Sequence, residues 1–247
     1  MHSTSTLYDT IKSGLYTDRV ILEIETVTNG TTEYVELDES KIYSLKTSGS
    51  VFPERQPSIG NFCARELDAV FIPPANRTIP KRARIRIFTY LDNGTQQSER
   101  IPKGVYWIDT REYTFGKTKM MVHGYDAAVK FDADIAETDF EWPVSPTTLI
   151  LNLAQSVGVS VSGKSREALD AMVSIIYRVP FTICTKREMI KYLAAAVGYN
   201  AYIDDLGRLS FIPLRIDTAV KTVVYLADEN GNPITIGGDR IIVDEHY

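Results

Sequence analysis

Apolar and polar residues alternate through the first half of the chain with the period of two that a half-buried β-strand requires. In Arg84 to Leu91, Ile85, Ile87, Thr89 and Leu91 share one face, and Arg84, Arg86, Phe88 and Tyr90 share the other. Val20, Leu22 and Ile24 alternate with Arg19, Ile21, Glu23 and Glu25, while Cys63, Leu67, Ala69 and Phe71 fall on one face of Phe62 to Ile72. Further strands are expected at Thr31 to Leu37, Gln97 to Ile101, Gly104 to Glu112 and Thr118 to His123. Asn29-Gly30 and Asn93-Gly94 supply the positive φ angles of hairpin turns, and Pro73-Pro74 stops a strand because proline cannot donate to a ladder. Short strands at this spacing predict an antiparallel barrel or sandwich and disfavour a doubly wound sheet.

The texture changes after Asp126. Ser145-Pro146 opens a helix as cap and first-turn proline, Leu149, Leu153 and Val157 recur every four residues, and Gly158 closes it. Thr185-Lys186-Arg187-Glu188 is a capping box leading into Met189, Leu193, Ala196 and Val197 before Gly198. Asn200 to Ile203 and Arg208 to Pro213 flank the turn Asp204-Asp205-Leu206-Gly207. A short helix capped by Ser5, carrying Leu7 and Ile11 and ended by a left-handed Gly14, precedes the first strand. The expected class is α+β and β-rich: an antiparallel β-barrel domain over 1–135, then an α+β module over 136–214. Strands over 215–247 either return to the first barrel or begin an incomplete second one.

A folded chain of 247 residues hides about 70 to 75% of its unfolded surface, so a core of this size needs neither disulfide nor metal. With 27 basic and 32 acidic residues the net charge is −5, which argues against gripping a phosphate backbone. Arg82, Arg84 and Arg86 alternate onto one solvated strand face. Cys63 and Cys184 read as two buried thiols. No signal peptide or membrane span is written in the chain, so the expectation is a soluble protein made in the cytoplasm.

Candidate chemistry is sparse. His2, His123 and His246 with two lone cysteines give no metal spacing, and no phosphate-cradling glycine pattern occurs. His123 and Asp126 have the residue types of a base and its orienter, yet no nucleophile accompanies them. Asp132/Asp134 and Asp204/Asp205 are carboxylate pairs of the kind glycosidases use, but they sit in a polar stretch and a hairpin turn. No catalytic residue, cofactor or metal is assigned. Exposed aromatics such as Tyr106 or Tyr113 would suit either a protein interface or sugar stacking.

The order of several segments resembles phage and prophage tail proteins of the hub or tail-tip family. They are Ser58 to Leu67, Ile101 to Arg111, His123 to Ala127, Thr185 to Ile190, Gly198 to Ala201 and Gly207 to Leu214, within a span from Leu7 to Leu214. The resemblance implies a barrel domain followed by a helical module. It also implies a trimer whose related barrels form a ring between a six-fold tail tube and a three-fold tip. Its partners would be the tail tube or distal tail protein and the tip or fibre, its location the virion tail, and its activity assembly rather than catalysis. Members usually continue through a second barrel, whereas this sequence stops at Tyr247, so a fragment or a short member is expected. In such a ring Glu23, Glu25, Glu33 and Glu36 would line a channel or its rim and repel phosphates. The rival readings are a carbohydrate-binding module that recognises the host envelope and a peptidase or muralytic enzyme.

Overall fold

A computed structural model describes residues 4–49, 58–114, 116, 118–135, 144–170 and 184–213, and short strands at 222–225, 235–236, 239–240 and 242–246. By contacts the chain falls into two units, Met1–Pro213 and Leu214–Tyr247.

The first unit opens with α1 (Thr6–Lys12), where the Ser5 hydroxyl accepts from the Tyr8 amide and Ile11 is buried. Ser13, not a left-handed Gly14, caps its far end. Seven strands follow: β1 (Thr17–Thr28), β2 (Thr31–Leu37), β3 (Ile42–Ser48), β4 (Glu66–Phe71), β5 (Arg84–Asp92), β6 (Ile101–Tyr113) and β7 (Met120–Tyr125). They form one antiparallel sheet in the order β2-β1-β5-β6-β7-β4-β3. The alternation of the sequence is realised: Leu22, Ile24, Leu67, Ala69, Phe71, Ile85 and Ile87 lie on the inner face, each 3% exposed or less.

The order of the strands dictates curvature. A flat sheet of seven strands at about 4.8 Å spacing is roughly 29 Å wide. Its two edge strands, β2 and β3, are joined only by Asp38 to Lys41, and five Cα steps reach at most about 19 Å. The sheet therefore curls into a half-barrel. Six antiparallel steps separate β2 from β3, so the two run in the same sense, as one bent path carrying the wall from one edge to the other. The corner is held locally, with the Asp38 carboxylate accepting from the Ser40 amide at 2.9 Å and Glu39 accepting from the Val20 amide of β1 at 3.1 Å.

Asn29 and Gly30 turn β1 into β2 with φ of 51° and 81°. Between β5 and β6 only Gly94 is left-handed. The Asn93 carboxamide accepts from the amides of Thr95 and Gln96, which widens the loop and reduces the strand expected at Gln97 to Ile101 to a single bridge, Asp92 to Gln97. β3 was not visible in the sequence, because as an edge strand most of its residues are exposed.

The helical module has its own core. A 3₁₀ helix (Ala127–Asp132), α2 (Pro146–Ser156), α3 (Gly163–Asp170) and α4 (Lys186–Ala196) surround the hairpin of β8 (Tyr199–Ile203) and β9 (Leu209–Pro213). Ser145 and the Thr185/Glu188 capping box start α2 and α4 as the sequence predicts. Leu149, Ile150, Leu153, Ala154, Met189, Ile190, Leu193 and Ala194 are buried; Ala196, expected on the inner face of α4, is exposed. The segment before β4 also belongs here. Gly60 donates to the Tyr199 carbonyl at 3.0 Å, Asn61 accepts from the Ala201 amide at 2.8 Å, and Phe62 meets Phe131 edge-on at 5.3 Å.

In the second unit β10 (Thr222–Tyr225) pairs with β13 (Ile242–His246), and β11 (Thr235–Ile236) with β12 (Asp239–Arg240). Glu229-Asn230-Gly231-Asn232-Pro233, whose composition reads as a turn, and the irregular stretch that holds Pro53 and Pro57 lie outside the described residues.

Candidate functional site

Cross-strand pairing on the outer face of the sheet aligns Ser48, Glu66, Tyr125, Trp107 and Arg84 from β3 to β5. The row continues from Arg84 to Glu25 of β1 at 4.0 Å, and Glu25 lies opposite Tyr34 of β2. Beside it, Glu23 lies opposite both Glu36 and Arg86. Like charges placed opposite one another destabilise a sheet. Arg86 offsets this by reaching Glu23 at 3.2 Å, and Arg100 grips Glu36 with two bonds of 2.5 and 3.0 Å. The Arg100 guanidinium holds the Glu36 carboxyl below its ordinary range.

Three of the four carboxylates singled out in the sequence, Glu23, Glu25 and Glu36, thus share this face. Glu33 pairs with Thr26 in register, so it points to the opposite, inner side of the sheet. There Arg77 binds it and holds its carboxyl below the usual range. Each of the four has an arginine partner, so the shared face is charge-balanced, not a bare acidic lining.

Three aromatic rings of the sheet are also engaged. Arg86 stands over Tyr34 at 3.9 Å, Lys130 over Trp107 at 4.1 Å, and Lys119 over Tyr43 at 3.4 Å. Burial, with the nearby Arg84 charge, pushes the Lys130 ammonium below its ordinary pKa. Trp107 also packs on the module core. A ring face occupied by a cation is not free to stack on a sugar. Tyr106, one of the aromatics expected at the surface, is 1% exposed and belongs to the barrel core, whereas Tyr113 is 56% exposed.

The acid–base candidates are separated. His123 meets Asp68 across β4 and β7 at 2.7 Å and stands edge-on to Tyr125, while Asp126 is fully buried with other partners. Asp126 accepts from the Ala128 amide at 3.0 Å and from Arg65 Nε at 3.2 Å. Burial nonetheless raises its pKa, against the pull of that amide and of Arg65. Asp132 binds Arg187 at 2.7 Å, and the Asp134 backbone pairs with that of Thr185 in an isolated antiparallel bridge. Asp204 accepts from the amides of Leu206 and Arg208 and from the Arg208 side chain, and Asp205 binds Arg65 at 2.8 Å. The carboxylates of Asp126, Asp132, Asp204 and Asp205 fasten turns and helix ends. Among the described residues no three His, Cys, Asp or Glu converge as metal ligands, and no helix is long and apolar enough to cross a membrane. Cys63 and Cys184 are free and half-buried, more exposed than expected.

No protein-family profile and no curated protein matches the chain. Among solved structures it is similar to the 43 kDa tail protein of prophage MuSo2 from Shewanella oneidensis, with 15% identity and a TM-score of 0.42 over 87% of this chain and 61% of that one. It is likewise similar to a tail protein from Neisseria meningitidis MC58, with 12% identity and a TM-score of 0.41 over 86% of this chain and 53% of that one. The chain thus spans less than two thirds of either protein.

Proposed function

We propose that the chain is a structural component of a bacteriophage or prophage tail, at the hub or tip where the tail tube meets the distal end. In this reading it assembles as a homotrimeric ring with other tail proteins, in the virion tail, after synthesis in the host cytoplasm. The motif order from Ser58 to Leu214 supports the family. The outer face carries the mode of action: Tyr34, Trp107, Tyr125, Arg84, Arg86 and Arg100 with matched carboxylates offer the aromatic and arginine content of a protein interface. Arg86 over Tyr34 and Lys130 over Trp107, with arginines on Glu23, Glu25 and Glu36, support a role in binding. A stable ring contact needs roughly 1,000 Å² or more between neighbours, which sets the area this face has to supply.

The test is incorporation. A folded Arg84→Glu/Arg100→Glu chain, expressed in place of the parent, should fail to enter assembled tails, because like charges then face Glu25 and Glu36 and the partner meets an acidic wall. Normal incorporation would contradict the assignment of this face. The exposed Tyr113 favours the second reading, a carbohydrate-binding module. A glycan array with a clear sugar preference would establish that reading in its place.

A further inference from the structure

The sheet and the module each close a separate apolar core, and what joins them is an apolar contact, Trp107 of β6 on the module core, with a set of polar bonds. Leu22, Ile24, Leu67, Phe71, Tyr106 and Val122 belong to one core; Phe62, Ala127, Phe131, Leu153, Ile190 and Leu209 belong to the other. Among the described residues the chain passes between them twice, from Phe62 to Leu67 and from Val122 to Ala127. The two crossings lie side by side: the Asp126 amide donates to the Arg65 carbonyl at 3.0 Å, and Arg65 Nε binds the Asp126 carboxylate at 3.2 Å. The remainder of the same guanidinium reaches outward to the tip of the β8–β9 hairpin. Nη1 binds Asp205 at 2.8 Å, and Nη2 donates to the Asp204 carbonyl at 3.1 Å.

These two halves of one side chain differ in their access to water. The Asp126 side chain is 0% exposed and that of Asp205 is 38% exposed. A buried pair cannot trade its partner for water, whereas a partly exposed one can do so at small cost. At the same tip Gly207 lies against Val105 of β6, where a Cβ would stand 3.2 Å from the Val105 Cβ. Two complete cores, paired crossings and a polar, partly wetted contact away from them are the parts of a hinge.

We propose that the Arg65/Asp126 crossing is a hinge about which the module turns as a body against the sheet, and that the grip of Arg65 on Asp205 and the Asp204 carbonyl is the latch that holds it closed. The proposal does not depend on the tail reading. Opening breaks the two outer bonds of Arg65, lifts Gly207 from Val105, loosens the stacking of Lys130 on Trp107 and draws Trp107 off the module core, while the buried residues of each core keep one another. The inner bond to Asp126 persists.

The test is a distance distribution between spin labels at Thr95→Cys, in the β5–β6 loop, and Lys191→Cys, on the exposed side of α4, in a Cys63→Ser/Cys184→Ser background. The parent should give one narrow distribution. Asp205→Ala should add a second, displaced population about tenfold larger than in the parent, the order expected from loss of one charge-assisted hydrogen bond. An unchanged narrow distribution in folded Asp205→Ala would overturn the proposal. The unaltered chain gives a second reading by nuclear magnetic resonance. The Arg65 Nη protons of the latch must exchange with water much faster than the Nε proton at the pivot, and equal protection of the two would also overturn it.

Discussion

Gly60 offers a sharp test of how the segment before β4 is built into the module. Its φ is +79°, and a Cβ placed there would stand 2.6 Å from the Ala195 Cβ and 3.0 Å from the Lys191 carbonyl oxygen, both on α4. The left-handed conformation alone costs an alanine roughly 1 to 2 kcal/mol. Relief of the contact to 3.4 Å requires movement of about 0.8 Å between Gly60 and α4. α4 cannot move freely, because Met189, Ile190, Leu193 and Ala194 seat it in the core, and Gly60 itself donates to the Tyr199 carbonyl. Overpacking of this kind costs typically 1 to 3 kcal/mol, so Gly60→Ala should lose about 2 to 5 kcal/mol. Gly94 is the internal control, with φ of +86° and nothing within 4 Å of the added Cβ. Gly94→Ala should show the conformational cost alone, about 1 to 2 kcal/mol. Urea unfolding followed by circular dichroism measures both. Equal losses in the two variants would refute the contact with α4.

Three further outcomes follow from the same geometry. Arg65→Met leaves the fully buried Asp126 without its cation and should cost about 3 kcal/mol at neutral pH, read from the urea midpoint. Burial already raises the Asp126 pKa in the folded state, so the protonated form is the one the fold favours. Stability from that proton is complete below the unfolded pKa and is lost as pH rises through the folded one. The Arg65→Met defect should therefore shrink as pH falls, and Asp126→Asn added to it should recover part of the loss; a defect that grows in acid would be contrary evidence. Thr185→Ala removes the hydroxyl that accepts from the Glu188 amide and should cost about 1 kcal/mol in thermal unfolding.

The features legible in the sequence were those set by local chemistry. Alternation gave the inner faces of β1, β4 and β5, because residues such as Ile24, Phe71 and Ile85 face one core along their whole strand. Caps at Ser145 and Thr185 marked two helices because their hydroxyls act within three residues. β3 was missed because an edge strand needs little apolar alternation, and its place follows from the short link to β2, not from its own residues. α3 has Ser162 at its start but is short and polar, with little apolar periodicity to reveal it.

The site was less legible, since it is made by register. The sequence places Glu23, Glu25, Glu33 and Glu36 close together, but only the pairing of β1 with β2 sends Glu33 to the other side, and only β5 and Arg100 bring the neutralising arginines. Arg65 carried no signal of its own. Its acceptors lie 61 and 140 positions away, and it gains meaning only where two crossings of the chain meet.

The most direct test of a role in the tail is quantitative mass spectrometry of purified tail particles from cells that encode the chain. Assembly as proposed predicts that the chain is present in a fixed copy number per tail, a multiple of three. Its absence from intact tails, or presence only in substoichiometric traces, would contradict the proposal.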